Sequence, residues 1–278
     1  MHKRCAFFII FIIFLILHCY SQKNKPWLKK TIFFIRENEI PFVPDEYYAP
    51  MKLYVKFLDA FAQSTYKSIY VIDYYKKNFL YVSNNPLFLC GMTAKKVQEM
   101  GYEFYINQVP ESNLPMLFET NRAGFLFAQN VPAENLLEYT LSFDFQIKQP
   151  EGKDLMINHK VTPLHLTYEG KIWLALCTVS LSSHTQIGNI EVMRRGYNSR
   201  WKYSTKTHTW KECEGVALKD YEKEVLYLSA QGYTMSEISK RMYKSIDTIK
   251  GYKRQIFEKL DVGSITEALF MVINQKMI

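Results

Sequence analysis

Two helix-start signals stand close together near the end of the chain, and they constrain it more than any other feature. Thr234 with Glu237 three residues on is a capping box: the hydroxyl takes an orphan backbone N–H and the carboxylate reaches back. Ser245 is a second N-cap, with Asp247 near the positive end of the helix dipole. The residues between leave room for a short helix and a tight turn. Beyond Ser245, Ile246, Ile249, Ile256 and Leu260 fall on one stripe at helical spacing and are expected to pack inward. Asp247, Lys250, Gly251, Arg254 and Glu258 lie about half a turn away. From Lys240 to Arg254 there are six basic residues and one acidic one. A basic-faced helix held by a short helix across a turn is what reading a major groove requires. A solvated helix in a plain bundle could carry the same charges. The two capped helices in tandem favour the groove.

Around these signals the spacing is dense with matches. Leu218, Glu222, Glu224-Val225-Leu226, Leu228, Ala230, Gly232, Glu237-Ile238, Ser245, Thr248-Ile249-Lys250, Ile256, Lys259-Leu260, Val262 and Ala268 all stand where the LuxR-type helix-turn-helix family has them. Residues 218–278 therefore resemble that family. The resemblance implies an all-α unit of four helices, the third in the major groove and the fourth commonly a dimer contact. It places groove contacts at Lys250, Gly251 and Arg254 and backbone contacts at Ser245 and Thr248. The wheel alone also picks out Lys250, Gly251 and Arg254, and puts Lys253 at the edge of the buried stripe, within reach of phosphate only. Ile265, Leu269, Val272 and Ile273 form an apolar stripe on the last helix, which the resemblance makes the dimer face; packing within the unit is the alternative. Four positions depart from the pattern. Lys219 replaces a capping Thr or Ser, Ser239 an Ala, Tyr252 a His and Ile265 an Arg. Gly251 inside a helix costs about 1 kcal/mol against Ala, which close approach of backbone to DNA would explain and simple tolerance would too.

The chain is long enough, at 278 residues, for two domains, and at 48% hydrophobic it can fill two cores. Its net charge of +8 is spread along the sequence, so the nucleic-acid signal lies in local placement. Five cysteines, odd in number and without C-x-x-C spacing, give no disulfide framework and no zinc site. The histidines are dispersed; His159 and His165 share a strand-like stretch without metal-ligand spacing.

Residues 1–22 place His2-Lys3-Arg4 ahead of thirteen uncharged residues, Cys5 to Leu17. That is the shape of a signal peptide's first two regions, without a small-residue cleavage site after it. It is short of the roughly 20 residues of a spanning helix. A secreted product would conflict with a DNA-reading C-terminus. Either translation begins downstream, Met51 being well placed, or the segment is an uncleaved anchor that Lys23, Lys25, Lys29 and Lys30 hold on the cytoplasmic side. Residues 23–50, with Pro26, Pro41, Pro44 and Pro50, read as a linker.

From Leu53 the pattern turns compact: an amphipathic helix to Gln63, then a hairpin of Ser68–Asp73 with Phe79–Ser83. A helical stretch from Asn84-Asn85-Pro86 to Gly91 follows. Residues 93–137 read as helical pieces interrupted by Pro110, Pro115 and Pro132. Three longer strands then run over Tyr139–Ile147, Leu155–Tyr168 and Ile172–Leu181. Ile69-Tyr70-Val71-Ile72-Asp73, Phe79-Leu80-Tyr81-Val82-Ser83-Asn84, Gly91 and Trp173-Leu174-Ala175-Leu176 make the stretch 53–181 resemble a PAS domain. The resemblance implies a five-stranded antiparallel sheet with helices, in an α+β chain, and a role in sensing or dimerisation. No cofactor is expected. Residues 85–137 contain no His to ligate haem, and no Asn-Cys-Arg-like flavin motif is present. Phe88, Phe104, Tyr105, Phe118, Phe125 and Phe127 read as core, and Cys90 as a packed thiol.

Residues 182–216 read as a linker broken at Gly188-Asn189. In it Arg200–Ser204 and His208–Lys211 are expected to form a small hairpin with Trp201 and Trp210 across from each other, docking one domain on the other; contact of its basic residues with DNA backbone is the alternative. No phosphate-cradling loop, nucleophile elbow or acid pair suggests an enzyme. The sequence thus reads as a cytoplasmic, sequence-specific transcription regulator. It would bind double-stranded DNA as a homodimer and answer to a small molecule or signalling protein at the PAS-like domain. A membrane-anchored version and a protein-binding adaptor are the competing readings.

Overall fold

The computed structural model of the protein describes residues 38–65 and 67–274. The apolar segment Cys5–Leu17, and with it the question of an anchor, lies outside them. Among the described residues no helix is long and apolar enough to cross a membrane.

The first unit is built on one antiparallel sheet. Helix α1 (Met51–Thr65) leads into strands β1 (Ser68–Asp73) and β2 (Asn78–Val82). Five helices follow: α2 (Pro86–Leu89), α3 (Ala94–Met100), α4 (Glu103–Gln108), α5 (Leu114–Gln129) and α6 (Ala133–Leu136). The chain then returns through β3 (Tyr139–Lys148), β4 (Asp154–Leu166), β5 (Ile172–Leu181), β6 (Gly188–Arg194), β7 (Ser199–Ser204) and β8 (Thr209–Glu214). The strand order is β2-β1-β5-β4-β3-β6-β7-β8. Its first five members are the antiparallel sheet that the PAS resemblance implies, with β5 crossing to sit beside β1.

Helix starts follow local chemistry. Asn85 caps α2 by accepting from Leu87 N, and Thr93 caps α3 by accepting from Lys96 N. Pro115 does not interrupt a helix as the sequence suggested. It occupies the first turn of α5, where its missing N–H costs nothing.

Alternate residues of the strands face the helices. Tyr70, Ile72, Phe143, Phe145, Ile157, His159, Cys177 and Val179 meet Phe88, Phe104, Tyr105, Leu117 and Phe125 there, all buried. Phe118 packs against this core partly buried. The opposite face of β1, β2 and β5 is covered by α1, where Val71, Tyr81, Trp173 and Leu174 pack with Met51, Val55 and Leu58. Helix α1 is apolar on its outer side too: Leu53, Tyr54, Phe57 and Phe61 are exposed.

Two stretches expected to be linkers are part of this unit. Asn38 pairs with the backbone of Ile172 through both amide atoms, at 2.9 Å each way. Val43 is buried, and the Tyr48 hydroxyl donates to Asp73 at 2.6 Å while accepting from the Trp173 indole at 3.1 Å. Residues 38–50 are thus docked on the sheet, which their prolines concealed. Likewise 182–216 carries β6, β7 and β8. Gly188 starts a strand instead of breaking the chain. Trp201 stands opposite Glu212, and Trp210 opposite Tyr203. Both indoles pack edge-on against Phe127 of α5, with centroids 5.4 and 5.1 Å away. The hairpin therefore docks on its own unit. Sequence alternation revealed the strands but not their partner.

The second unit has four helices: α7 (Asp220–Ala230), α8 (Met235–Arg241), α9 (Ile246–Leu260) and α10 (Ile265–Asn274). Leu226, Ile238, Ile249, Ile256 and Val272 are fully buried in its core. Ile246, expected on that stripe, is instead 43% exposed. It lies in the first turn of α9, before the helix reaches the core.

Candidate nucleic-acid interface and sensor cavity

Helices α8 and α9 are fixed at their starts by the side chains that announce them. Glu237 Oε2 accepts from Thr234 N at 2.8 Å, and Thr234 Oγ1 accepts from Glu237 N at 3.4 Å. The bond from Thr234 N, and after it the 2.7 Å bond that the Thr234 hydroxyl donates to the same Oε2, hold the Glu237 carboxyl below the usual range. Ser245 Oγ accepts from Thr248 N at 3.1 Å and pairs with the Thr248 hydroxyl at 2.9 Å. Both expected backbone-contact residues are therefore also cap residues. The turn between the helices is closed by Lys244 N donating to Ser239 O at 3.0 Å and Ser239 Oγ donating to Lys244 O at 2.7 Å. Ser239, a departure from the family pattern, thus locks the turn. Tyr243 occupies the left-handed region there, with φ 52°, and is almost wholly exposed. Nothing in the local sequence marks that conformation, which usually selects Gly or Asn.

At the far end, Lys259 Nζ meets Glu222 Oε2 at 2.7 Å, and the same carboxylate oxygen accepts from Lys219 N at 2.7 Å. Glu222 is fully buried, so this pair ties the start of α7 to the end of α9. Lys219 offers no side-chain cap, and its backbone N–H uses Glu222 instead.

Lys250 and Arg254 project from the outer side of α9. Each is held by a neighbour one turn away: Lys250 Nζ to Asp247 at 3.1 Å, Arg254 Nε to Glu258 at 2.8 Å. Exposed pairs of this kind contribute little and exchange readily for a phosphate or a base edge. Gly251 lies between them, and a Cβ placed there would meet nothing within 4 Å. No packing inside the protein calls for a glycine at that position. Lys253 is half-buried along a surface groove with Met235, Phe257 and Val262, and burial draws its ammonium pKa down.

The expected dimer residues divide. Val272 is wholly buried in the core of its own unit, so it has no surface to offer a second copy. Ile265 and Leu269 are partly buried against the same core, and Ile273 is 60% exposed. Because α10 buries Ala268, Met271 and Val272 inward, the stripe read as a dimer face is mainly an internal one.

In the sheet unit, a cavity of about 90 Å³ opens between the strands and α5. Tyr105, Phe125, Phe143, His159, Val161 and Val192 are among its walls. None of its lining side chains is Asp, Glu, Lys or Arg. Beside it runs a buried polar chain, Tyr105–Tyr70–His159, joined through the two hydroxyls and His159 Nε2. Tyr70 is stacked on Phe88 at 4.5 Å and 6°. Burial lowers the His159 pKa to about 3, so the ring is neutral. The Cys90 thiol, also buried, is pushed up to about 12 and behaves as packing. The sequence did not single out Tyr70 or His159 as partners. Their register across β1, β5 and β4 was the available signal, and it needed the sheet order.

Residues 217–272 match the family described as bacterial regulatory proteins, luxR family. No curated protein matches the chain. Among solved structures, the Vibrio cholerae VqmA dimer described without its target DNA aligns at 15% identity, covering 76% of this chain and 83% of that one, with a TM-score of 0.29. VqmA bound to DPO aligns at 16% identity over 80% and 88%, with a TM-score of 0.32. A PAS domain from a two-component sensor histidine kinase aligns at 11% identity over 48% and 99%, with a TM-score of 0.33. The PAS-like assignment of the sheet rests on its strand order. Residues 217–272 are a LuxR-family helix-turn-helix domain, carried behind a PAS-like sheet.

Proposed function

We propose that the protein is a transcription regulator that reads promoter DNA through α9 as a dimer, under the control of a signal received at the PAS-like sheet. The observation that carries this is the outer side of α9. Lys250 and Arg254 stand exposed on it, on a helix whose own position is fixed by Ile249, Ile256 and Leu260. Arg254 is assigned to a base edge, Lys250 to a base or a phosphate, and Lys253, Ser245 and Thr248 to phosphates. Gly251 lets the backbone come close. The part of α10 that keeps some surface, namely the partly buried Ile265 and Leu269 with the exposed Ile273, is assigned to the second copy, which suits inverted-repeat sites.

Supporting the control step are contacts that lead from the cavity to the β7–β8 hairpin, next in the chain to the helices. Val192 of β6 lines the cavity, as does Phe127, which also packs on Trp201 and Trp210. Strand β8 then ends at Glu214, and Asp220 opens α7. Between them Gly215 approaches Asn198 so closely that a Cβ would lie 2.3 Å from its carbonyl oxygen. A change in the cavity can reach the connection to the helices through packed side chains. A small molecule or a partner protein could supply that change. The work of such a protein is in the cytoplasm; a version held at the bilayer by Cys5–Leu17 is the rival reading, and fractionation of native protein separates the two.

The test is a titration of wild-type, Arg254→Ala and Lys253→Ala against a selected site and a scrambled duplex at several salt concentrations. Arg254→Ala is expected to bind the selected site about ten- to a hundredfold more weakly and to lose preference at one base pair. Lys253→Ala is expected to weaken both duplexes alike and lower the salt slope by about 1. Unchanged binding of both duplexes by Arg254→Ala would leave a protein-binding adaptor as the better reading.

A further inference from the structure

Resting on the sensor role proposed above, we infer that the cavity takes a small, uncharged, largely apolar molecule presenting one hydrogen-bonding group to His159. Three observations converge on that class. The first is charge. No Asp, Glu, Lys or Arg side chain lines the cavity. Its histidine sits in an apolar, ring-lined environment that keeps it neutral, and its tyrosines are buried. A carboxylate, phosphate or ammonium would give up its hydration there with no counter-charge.

The second is one unmet bond. His159 is 3% exposed and forms part of the wall. Its Nε2 is taken by the Tyr70 hydroxyl, whereas its Nδ1 has no partner among the described residues. Either tautomer leaves that need. If Nε2 accepts the Tyr70 proton, Nδ1 carries a hydrogen and donates. If Nε2 donates, Nδ1 accepts. A buried polar atom left unpaired is costly, so a ligand group that displaces enough of the wall to reach Nδ1, itself closed off in this structure, is favoured in either case. The third is size. An apolar cavity of about 150 Å³ holds a benzene ring. A space of about 90 Å³ is smaller than that, which makes one small ring or a short branched chain the upper limit of what it takes.

Four probes decide it, used with the full chain: phenol, toluene, benzamide and benzoate. Phenol and toluene differ in the hydrogen-bonding group at nearly constant shape, and benzamide and benzoate differ in charge. Binding is read from thermal shift and from the ring nitrogen resonances of histidines labelled with ¹⁵N. Phenol is expected to bind about three- to tenfold more tightly than toluene, and to move the His159 nitrogen signals. Benzamide is expected to bind more tightly than benzoate by at least tenfold. His159→Phe should erase the preference for phenol while toluene still binds. Val161→Phe, which fills the cavity from the neighbouring position on β4, should weaken all the neutral probes and gives a second variant should His159→Phe fold poorly. Equal binding of phenol and toluene, or benzoate equal to benzamide, would overturn the ligand class while leaving a small-molecule sensor standing. No binding by any probe, or neutral-probe binding untouched by Val161→Phe, would overturn both this class and the cavity as the sensing site. Neither result bears on DNA reading, which the Arg254→Ala titration tests separately.

Discussion

The two units keep their functional groups in opposite environments. On α9, Lys250 and Arg254 are exposed, charged and held by weak pairs with Asp247 and Glu258. In the sheet, His159, Tyr70 and Tyr105 are buried, neutral and joined to one another. On the proposed reading, a polyanion would be met by charge that water already tolerates and that lets go of its local partner at little cost. A small molecule would be met by an apolar wall on which one unsatisfied atom makes the difference. Specificity would come from geometry on a rigid helix at the first, and at the second from what the cavity refuses.

Breaking the rigidity of the helix should have the largest effect. Ile256 is fully buried among α7, α9 and α10. Ile256→Ala is expected to cost about 2–5 kcal/mol, which a small four-helix unit cannot spare. Denaturation followed at Trp173 and Trp210, both in the sheet unit, should keep its midpoint while helicity from the C-terminal unit and DNA binding are lost together. DNA binding retained at wild-type strength would mean that α9 is not positioned by this core.

A smaller change separates stability from reading within the same helix. Because a Cβ at Gly251 meets open space, Gly251→Ala should stabilise α9 by about 1 kcal/mol. If backbone approaches DNA there, the same change should weaken binding by about tenfold, a methyl group standing where the duplex lies. Chemical denaturation and the titration described above give the two numbers. A variant that gains stability and binds as before would show Gly251 to be merely tolerated.

The same contrast explains what the sequence disclosed. The capping box at Thr234, the cap at Ser245 and the outward-facing set Lys250, Gly251 and Arg254 are local, spaced by helical period, and needed no knowledge of any distant residue. Strands β1 to β5 were legible from apolar and β-branched runs with their turn signals, and the hairpin at β7 and β8 from alternation. The cavity was not, because His159 and Tyr70 are 89 positions apart and meet only through the order β1-β5-β4. Val272, expected at the dimer face, turns inward in its own unit, because an apolar stripe on α10 does not say which side it faces; its burial does. Residues 38–50 were misread because prolines signal irregular backbone and not absence of contacts. Tyr48 and Asn38 dock by side-chain bonds that no periodicity records.

The finest distinction lies between two histidines of the sheet unit, one shielded and one paired. His159 is desolvated without a charge partner, so its pKa falls from 6.5 to about 3. The folded state then resists a proton that the unfolded chain accepts, and stability drops as pH falls from about 6.5 toward 3. His184 lies on the loop from β5 to β6, with Nδ1 2.7 Å from Asp144 Oδ2. Asp144 is fully buried on β3 and also accepts from Asn158 at 2.9 Å and Asn189 at 3.0 Å. Glu191 of β6 and the ammonium groups of Lys160 and Lys202 surround the same small pocket or face it from the next strands. The hydrogen bond to Asp144 outweighs partial burial and raises the His184 pKa, with Glu191 adding to the rise and Lys202 opposing it. Here the folded state holds the proton more tightly. Its contribution is complete below about 6.5 and is lost as pH climbs through the raised value, the reverse of His159. Denaturation midpoints of the full chain from pH 5 to 9 should fall on the alkaline side. His184→Asn, which keeps an N–H for Asp144 without titrating, should flatten that limb and leave the acid limb in place. A difference curve between the two proteins with no slope above pH 6.5 would show that the pair does not anchor this loop.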